Sequence, residues 1–132
     1  MTAKTSGAHH IGLTVQDLNT AKLFFLEALG FEQVGEVPDY PAVFVSDGNL
    51  MITLWQAENP ATATPFDRRK NIGLHHLALR VESLDALTTL AGELANRGDT
   101  DIEFEPEALG HTDIKHMMCR IPGNIRLELI AA

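Results

Sequence analysis

The sequence predicts an α+β protein built from two tandem βαβββ modules. Three observations carry that expectation. The stretch HHIGLTVQDL, beginning at His9, returns as HHLALRVESL, beginning at His75, so that His10 and His76 stand 66 positions apart in a chain of 132 residues. Each copy leads into a segment with apolar residues at helical spacing. Each of those segments is followed by three short runs with the alternation and turn residues of strands.

In the first half, the alternation Ile11, Leu13, Val15 marks a strand. NTAKLFFLEALGFEQV then reads as an amphipathic helix, with Leu18, Ala21, Phe25 and Leu29 on one stripe and Gly30 where a helix end favours a left-handed residue. FEQVGEV, AVFVSD and LMITLWQ are the next strands, with Asp47-Gly48 as a hairpin signal. In the second half, Leu77, Leu79 and Val81 mark the strand, and Leu84, Leu87, Ala91 and Leu94 the helix, with Ser83 as N-cap and Gly98 as stop. IEFE, KHMMCRI and IRLELIA complete that half, with Pro122-Gly123-Asn124 as a turn and PEALGHTDI as an interrupting loop. Residues 1–132 are thus expected to form one domain, with modules at 8–56 and 72–132 and a polar linker at 57–71.

Composition narrows the function classes. Hydrophobic residues make up 45% of the chain, enough for a real core. A net charge of -8 and a pI near 5.1 disfavour nucleic acid or an anionic membrane as partner, since both call for clustered Lys and Arg. A single cysteine, Cys119, excludes an intrachain disulfide. The N-terminal residues have no apolar signal-peptide core and no stretch is long enough to span a bilayer, so a soluble cytoplasmic protein is expected.

Strand parity then sorts the polar residues. Side chains alternate faces along a strand. With Ile11, Leu13 and Val15 against the helix, His10 faces the other way; so do His76 and Arg80, Met51, Thr53 and Trp55, and Arg126 and Glu128. A carboxylate flanked by leucines is costly to bury without a partner. A sheet face bearing His, His, Glu and Arg is better read as a functional concavity than as a second core.

The paired βαβββ modules, the H-[IL]-x-L-x-V opening of each half, FFLEALGFE after the first and PGNIRLEL at the end resemble the vicinal oxygen chelate superfamily, the group of glyoxalase I, bleomycin-resistance proteins, fosfomycin-resistance thiol transferases and extradiol dioxygenases. The resemblance covers essentially the whole chain. It implies a cupped mixed β-sheet with helices outside, holding one divalent metal ion. The ligand positions it implies fall on His10, His76 and Glu128, and the fourth on Thr53, where the glyoxalase I pattern has glutamate. Threonine cannot abstract a carbon-bound proton. Two imidazoles and one carboxylate suit non-haem Fe2+, with Mn2+, Ni2+ or Zn2+ as alternatives. The resemblance therefore implies a metal-dependent enzyme acting on a small molecule by bidentate oxygen chelation, leaning to dioxygenase chemistry. A glyoxalase-like isomerase or lyase comes second, and a drug-sequestering binding protein without metal third. ALGHTDIKH does not match the potassium loop of the fosfomycin-resistance enzymes. Proteins of this kind and size imply a homodimer, with the metal held within one chain or shared between two.

The remaining residues have smaller roles in this reading. His116 shares parity with Met118 and Arg120 and is the candidate proton-transfer group. Thr53, Trp55, Met51, Met118, Arg80 and Arg126 are expected to meet the substrate. His9 and His75 have the parity of the helix layer and are expected to be structural, or to orient ligands. His111 falls in the loop of the second half, either solvated or part of a lid. Cys119 is expected to be an inert buried thiol. Arg68, Arg69 and Lys70 read as a solvated basic run, with an anionic substrate tail as the other use.

Overall fold

The computed structural model describes residues 2–132 and divides into two compact units, Met1–Ala63 and Thr64–Ala132. The first unit runs β1 (His10–Val15), α1 (Leu18–Leu23), β2 (Glu32–Val37), β3 (Ala42–Ser46) and β4 (Met51–Gln56). The second runs β5 (Leu77–Arg80), α2 (Leu84–Ala95), β6 (Asp101–Ala108), β7 (Lys115–Ile121) and β8 (Ile125–Ala131). The strand orders are β1-β4-β3-β2 and β5-β8-β7-β6, and in each sheet the first and last strands of the unit pair in parallel while the others are antiparallel. The two βαβββ modules read from the sequence are therefore present, and they share one topology.

The strand parity holds. Leu13, Val15, Ile52 and Leu54 are buried in the first unit, and Leu77, Leu79, Leu127 and Leu129 in the second. Helix α1 starts at Asp17, whose carboxylate accepts from the Thr20 amide at 2.9 Å. Gln56 ties that start to β4: its Oε1 accepts from the Leu18 amide at 2.9 Å and its Nε2 donates to the Gln16 carbonyl at 2.7 Å. Ser83 caps α2, accepting from the Ala86 amide at 3.1 Å. The turn into β8 places Gly123 and Asn124 at φ 91° and 59°, left-handed values that favour those two residue types.

Several expectations need correction. The first helix is α-helical only to Leu23 and widens into a π-helical turn over Phe24–Ala28, which buries Phe24 as well as Phe25 and stacks Phe25 edge-on against Phe31 at 5.2 Å. Gly30 does take the left-handed position, with φ 71°. Helix α2 ends at Ala95, where Asn96 closes the last turn, so Gly98 is not its stop. Leu84 is 47% exposed and leaves the buried stripe to Leu87, Ala91 and Leu94. Strand β6 continues through Pro106 to Ala108, taking the start of the expected loop; as the sheet's outer strand it tolerates the proline's missing N–H, and its register shifts there. His76, expected on the strand face away from the helix, lies just before β5. His9 and His75 are exposed and do not enter the helix layer. Part of the expected linker, Phe66 to Arg68, is half-buried within the second unit.

Two measurements follow from the core. Leu127 is fully buried, so Leu127→Ala is expected to cost about 2–5 kcal/mol in urea unfolding. Cys119 is also fully buried, and burial pushes its thiol up to about 12, so a thiol reagent at pH 8 should label the protein only after denaturation.

Candidate functional site

The second unit gathers His76, His116 and Glu128. Strand β8 buries Leu127 and Leu129 beneath the sheet and turns Glu128 to the opposite face. Met118 of β7 lies directly across from Glu128, and His116, two residues along, reaches back to it. The Glu128 side chain is only 12% exposed, so both of its oxygens need partners. His116 Nδ1 lies 2.6 Å from Oε2 and His76 Nε2 lies 3.4 Å from Oε1. Among the described residues Glu128 makes no ion pair with Arg126 or Arg80, the arginines that share its face.

The short contact fixes the His116 ring. Its Nδ1–H donates to the carboxylate, so the neutral ring carries its lone pair on Nε2. The edge of Phe104, with ring centroids 5.0 Å apart, sets the ring plane.

A chain of polar contacts leads to the same carboxylate from the other side. Glu103 of β6 clamps Arg126 with two bonds, Nε to Oε1 at 3.1 Å and Nη2 to Oε2 at 3.0 Å. Arg126 Nη1 lies 3.4 Å from His75 Nδ1, and that nitrogen lies 2.8 Å from His76 Nδ1. A guanidinium can only donate, so His75 Nδ1 is an acceptor. His76 Nδ1 is then the donor of that pair, and His76 Nε2 lies 3.4 Å from Glu128 Oε1. The pKa of His75 is held below its ordinary value, first by desolvation and then by the charge of Arg126, in keeping with an acceptor nitrogen. His75 thus contacts His76 in the orienting position that the sequence offered as its alternative to a structural role.

An imidazole nitrogen 3.4 Å from a carboxylate oxygen pairs with it when protonated, and when deprotonated offers a lone pair that, together with the carboxylate, a divalent cation can take up. The donor set fits two positions of a histidine–carboxylate metal site. Among the described residues, no three His, Cys, Asp or Glu side chains are grouped so as to hold an ion by themselves.

The first unit carries the other expected residues. His10 is exposed, with its Nδ1 2.8 Å from that of His9. Thr53 is 3% exposed and its hydroxyl accepts from Trp55 Nε1 at 2.8 Å, so it is a satisfied buried group and not a ready partner for a bound water. Gly12 stands opposite Thr53, where an added Cβ would come within 3.1 Å of that hydroxyl. Trp55 is half-buried and meets the Tyr40 ring edge-on at 4.6 Å; Met51, at the start of β4, is half-buried too. In the second unit Met118 is buried and Arg80 exposed, while Arg126 is held by Glu103 and is not a loose cation. His111 is exposed in the turn between β6 and β7.

Comparison with known proteins agrees with this architecture. The chain belongs to the Glyoxalase/Bleomycin resistance protein/Dioxygenase superfamily, whose family model matches residues 7–129. Among solved structures it is similar to a glyoxylase/bleomycin resistance protein/dioxygenase domain from Frankia sp. EAN1pec, at 26% identity and a TM-score of 0.84 over 98% of this chain and 99% of that one. It shares its fold with a glyoxalase family protein from Enterococcus faecalis, at 22% identity and TM-score 0.72 over 94% and 96% of the two chains. It also shares the fold of a lactoylglutathione lyase from Agrobacterium tumefaciens, at 18% identity and TM-score 0.72 over 98% and 96%. No curated protein sequence matches the chain. Among the described residues no helix is long and apolar enough to cross a membrane.

The Glu103–Arg126 clamp gives a pH dependence with a definite sign. Hydrogen bonding to Arg126, chiefly, holds the Glu103 carboxyl below its ordinary value of 4.5. Stability from the ionised pair is therefore fully present above pH 4.5 and is lost as pH falls through the lower folded value. Glu103→Gln is expected to lower stability at pH 7 by about 1–2 kcal/mol, allowing for solvent screening, and to flatten the acid limb in urea melts between pH 7 and 3.

Proposed function

We propose that this protein is a divalent-metal-dependent enzyme that acts on a small molecule through two adjacent oxygens, with chemistry of the dioxygenase kind. The observation that carries the reading is a single carboxylate, Glu128, shared by His76 on one oxygen and His116 on the other. In this reading His76 Nε2 and Glu128 Oε1 are metal donors, and His10 is the third, on the strength of the family resemblance. Fe2+ is favoured because two imidazoles and one carboxylate suit it, with Mn2+, Ni2+ and Zn2+ as alternatives. When bound, the ion would polarise the chelated oxygens and stabilise negative charge on them.

The chain's own residues supply the rest. His116, held by Glu128 through Nδ1, offers Nε2 as the proton acceptor, with the carboxylate orienting the ring and steadying its cation. Met118 and Arg80 in the second unit, and Met51, Thr53 and Trp55 in the first, are the walls the substrate would meet. Arg126 acts on the substrate side as well as on His75. A homodimer is the assembly we expect.

A glyoxalase-like isomerase or lyase is the second reading. It is weakened at Thr53, a buried hydroxyl already engaged by Trp55, with no carboxylate there to remove a carbon-bound proton. A sequestering module draws support from the aromatic group of Tyr40, Phe44 and Trp55 in the first unit.

Metal content after anaerobic reconstitution tests the proposal. The parent is expected to hold close to one ion per chain by elemental mass spectrometry. His76→Ala, Glu128→Ala and His10→Ala should lose it while keeping their circular dichroism. His116→Ala should retain it with affinity reduced about 10- to 100-fold, the usual effect of removing a partner of a ligand. A parent that takes up none of the four ions would sink the enzyme reading and leave the sequestering module.

A further inference from the structure

The second unit contains a cleft of about 300 Å³ that the metal reading does not use. Four arginines line it: Arg68, Arg69, Arg120 and Arg126. Two carboxylates, Asp67 and Glu103, line it as well, leaving a net charge of +2 in a chain whose total is -8. Such a concentration of guanidinium groups is costly unless something anionic answers it.

The two carboxylates are already committed. Glu103 holds Arg126 with two bonds and lies 3.5 Å from Arg68. Asp67 Oδ1 accepts from the backbone amides of Arg69 and Lys70, at 2.9 and 3.2 Å, and so closes its own turn. Asn124 Nδ2 donates to the Phe66 carbonyl at 3.0 Å and pins this turn to the β7–β8 hairpin. The cleft wall is thus built and braced. What remains is Arg69 and Arg120, both exposed; among the described residues neither guanidinium makes a hydrogen bond or ion pair. Arg120 faces Arg126 directly across the β7–β8 ladder, a like-charge pairing that destabilises a sheet. Asp101, opposite Arg120 on β6, makes no ion pair with it.

The cleft also lies beside the metal-ligand candidates. Arg120, Met118 and His116 alternate onto one face of β7, and Arg126 and Glu128 onto the same face of β8. Arg126 and Glu128 are two residues apart, about 7 Å along the strand. We infer that this cleft is an oxyanion subsite, which takes the carboxylate or phosphate group of a small substrate whose reacting end lies at Glu128 and His116. Its small volume and the chain's overall negative charge favour a small anion over an extended polyanion. The inference rests on the proposed function for the identity of the reacting end, but oxyanion binding stands apart from it.

The test is therefore made on metal-free protein. Inorganic phosphate and, separately, succinate are titrated into the full chain at low salt, followed by amide NMR shifts and calorimetry. Saturable binding on the order of millimolar, with shifts centred on residues 66–70 and 120–126, is expected for at least one probe, and the tighter probe names the group. Arg120→Ala and Arg69→Ala remove exposed side chains that make no hydrogen bond or ion pair among the described residues and should fold normally. Each is expected to weaken binding about tenfold, while Lys22→Ala on α1 leaves it unchanged. Absence of saturable binding by either probe, or equal loss in Lys22→Ala, overturns the subsite. Oxyanion binding by a protein that takes up no metal would overturn the enzyme reading and leave the subsite standing.

Discussion

One carboxylate constrains the second unit more than any other group. Glu128 lies between two leucines that form the floor of the core, on a strand that cannot rotate without exposing them. Its position is therefore fixed by hydrophobic burial, and its mostly buried oxygens must find donors or a cation. His116 satisfies one oxygen at 2.6 Å, and His76 Nε2 stands 3.4 Å from the other. Burial of apolar side chains on one face thus dictates the chemistry displayed on the other.

The two units solve the same backbone problem with different side chains. In the first sheet Gly12 pairs with Thr53, and in the second Ala78 pairs with Glu128. Thr53 and Glu128 are therefore equivalent positions, each paired with the residue two on from the second histidine of its repeat, Gly12 after His10 and Ala78 after His76. In the first unit the position is closed by a neutral hydrogen bond from Trp55 to Thr53, which asks for no cation. In the second it is a carboxylate. The repeat supplies one scaffold twice, and only one copy keeps an ionisable group at the end of it.

Much of this was legible in the sequence because it depends on periodicity. The 66-residue repeat, the two helix stripes and the inward leucines follow from spacing alone, and so does the outward face of His116 and Glu128. What escaped depends on where side chains reach. Parity sent His75 into the helix layer, but it lies before β5, where no sheet register constrains it, and the nearby arginine draws it out. The π-helical turn escaped because two adjacent phenylalanines both needed burial, which an α-helical stripe does not anticipate. The basic run at Arg68 read as solvated loop because its partner, Glu103, is distant in sequence. Strand β6 outran its expected end because proline and glutamate signal loop, yet an outer strand accepts both.

The asymmetry between the units extends to the histidine pairs. His9 and His10 repeat the contact of His75 and His76, with Nδ1 atoms 2.8 Å apart and rings edge-on at 5.1 Å in both. Two facing nitrogens require one donor and one acceptor, and the pair alone does not choose. In the second unit Arg126 chooses, because a guanidinium on His75 Nδ1 leaves donation to His76. Arg126 stands one step before Leu127, the register partner of Leu77; the matching step in the first sheet is the pairing of His10 with Met51. A thioether has no proton to give, so nothing equivalent orders the first pair. The second unit therefore fixes His76 Nδ1 as a donor and sets Nε2 toward Glu128, and the Glu103–Arg126 clamp behind that arrangement also braces the arginine cleft. One guanidinium, Arg126, thus serves both the histidine pair and the wall of the cleft, which couples the two ends of that sheet face.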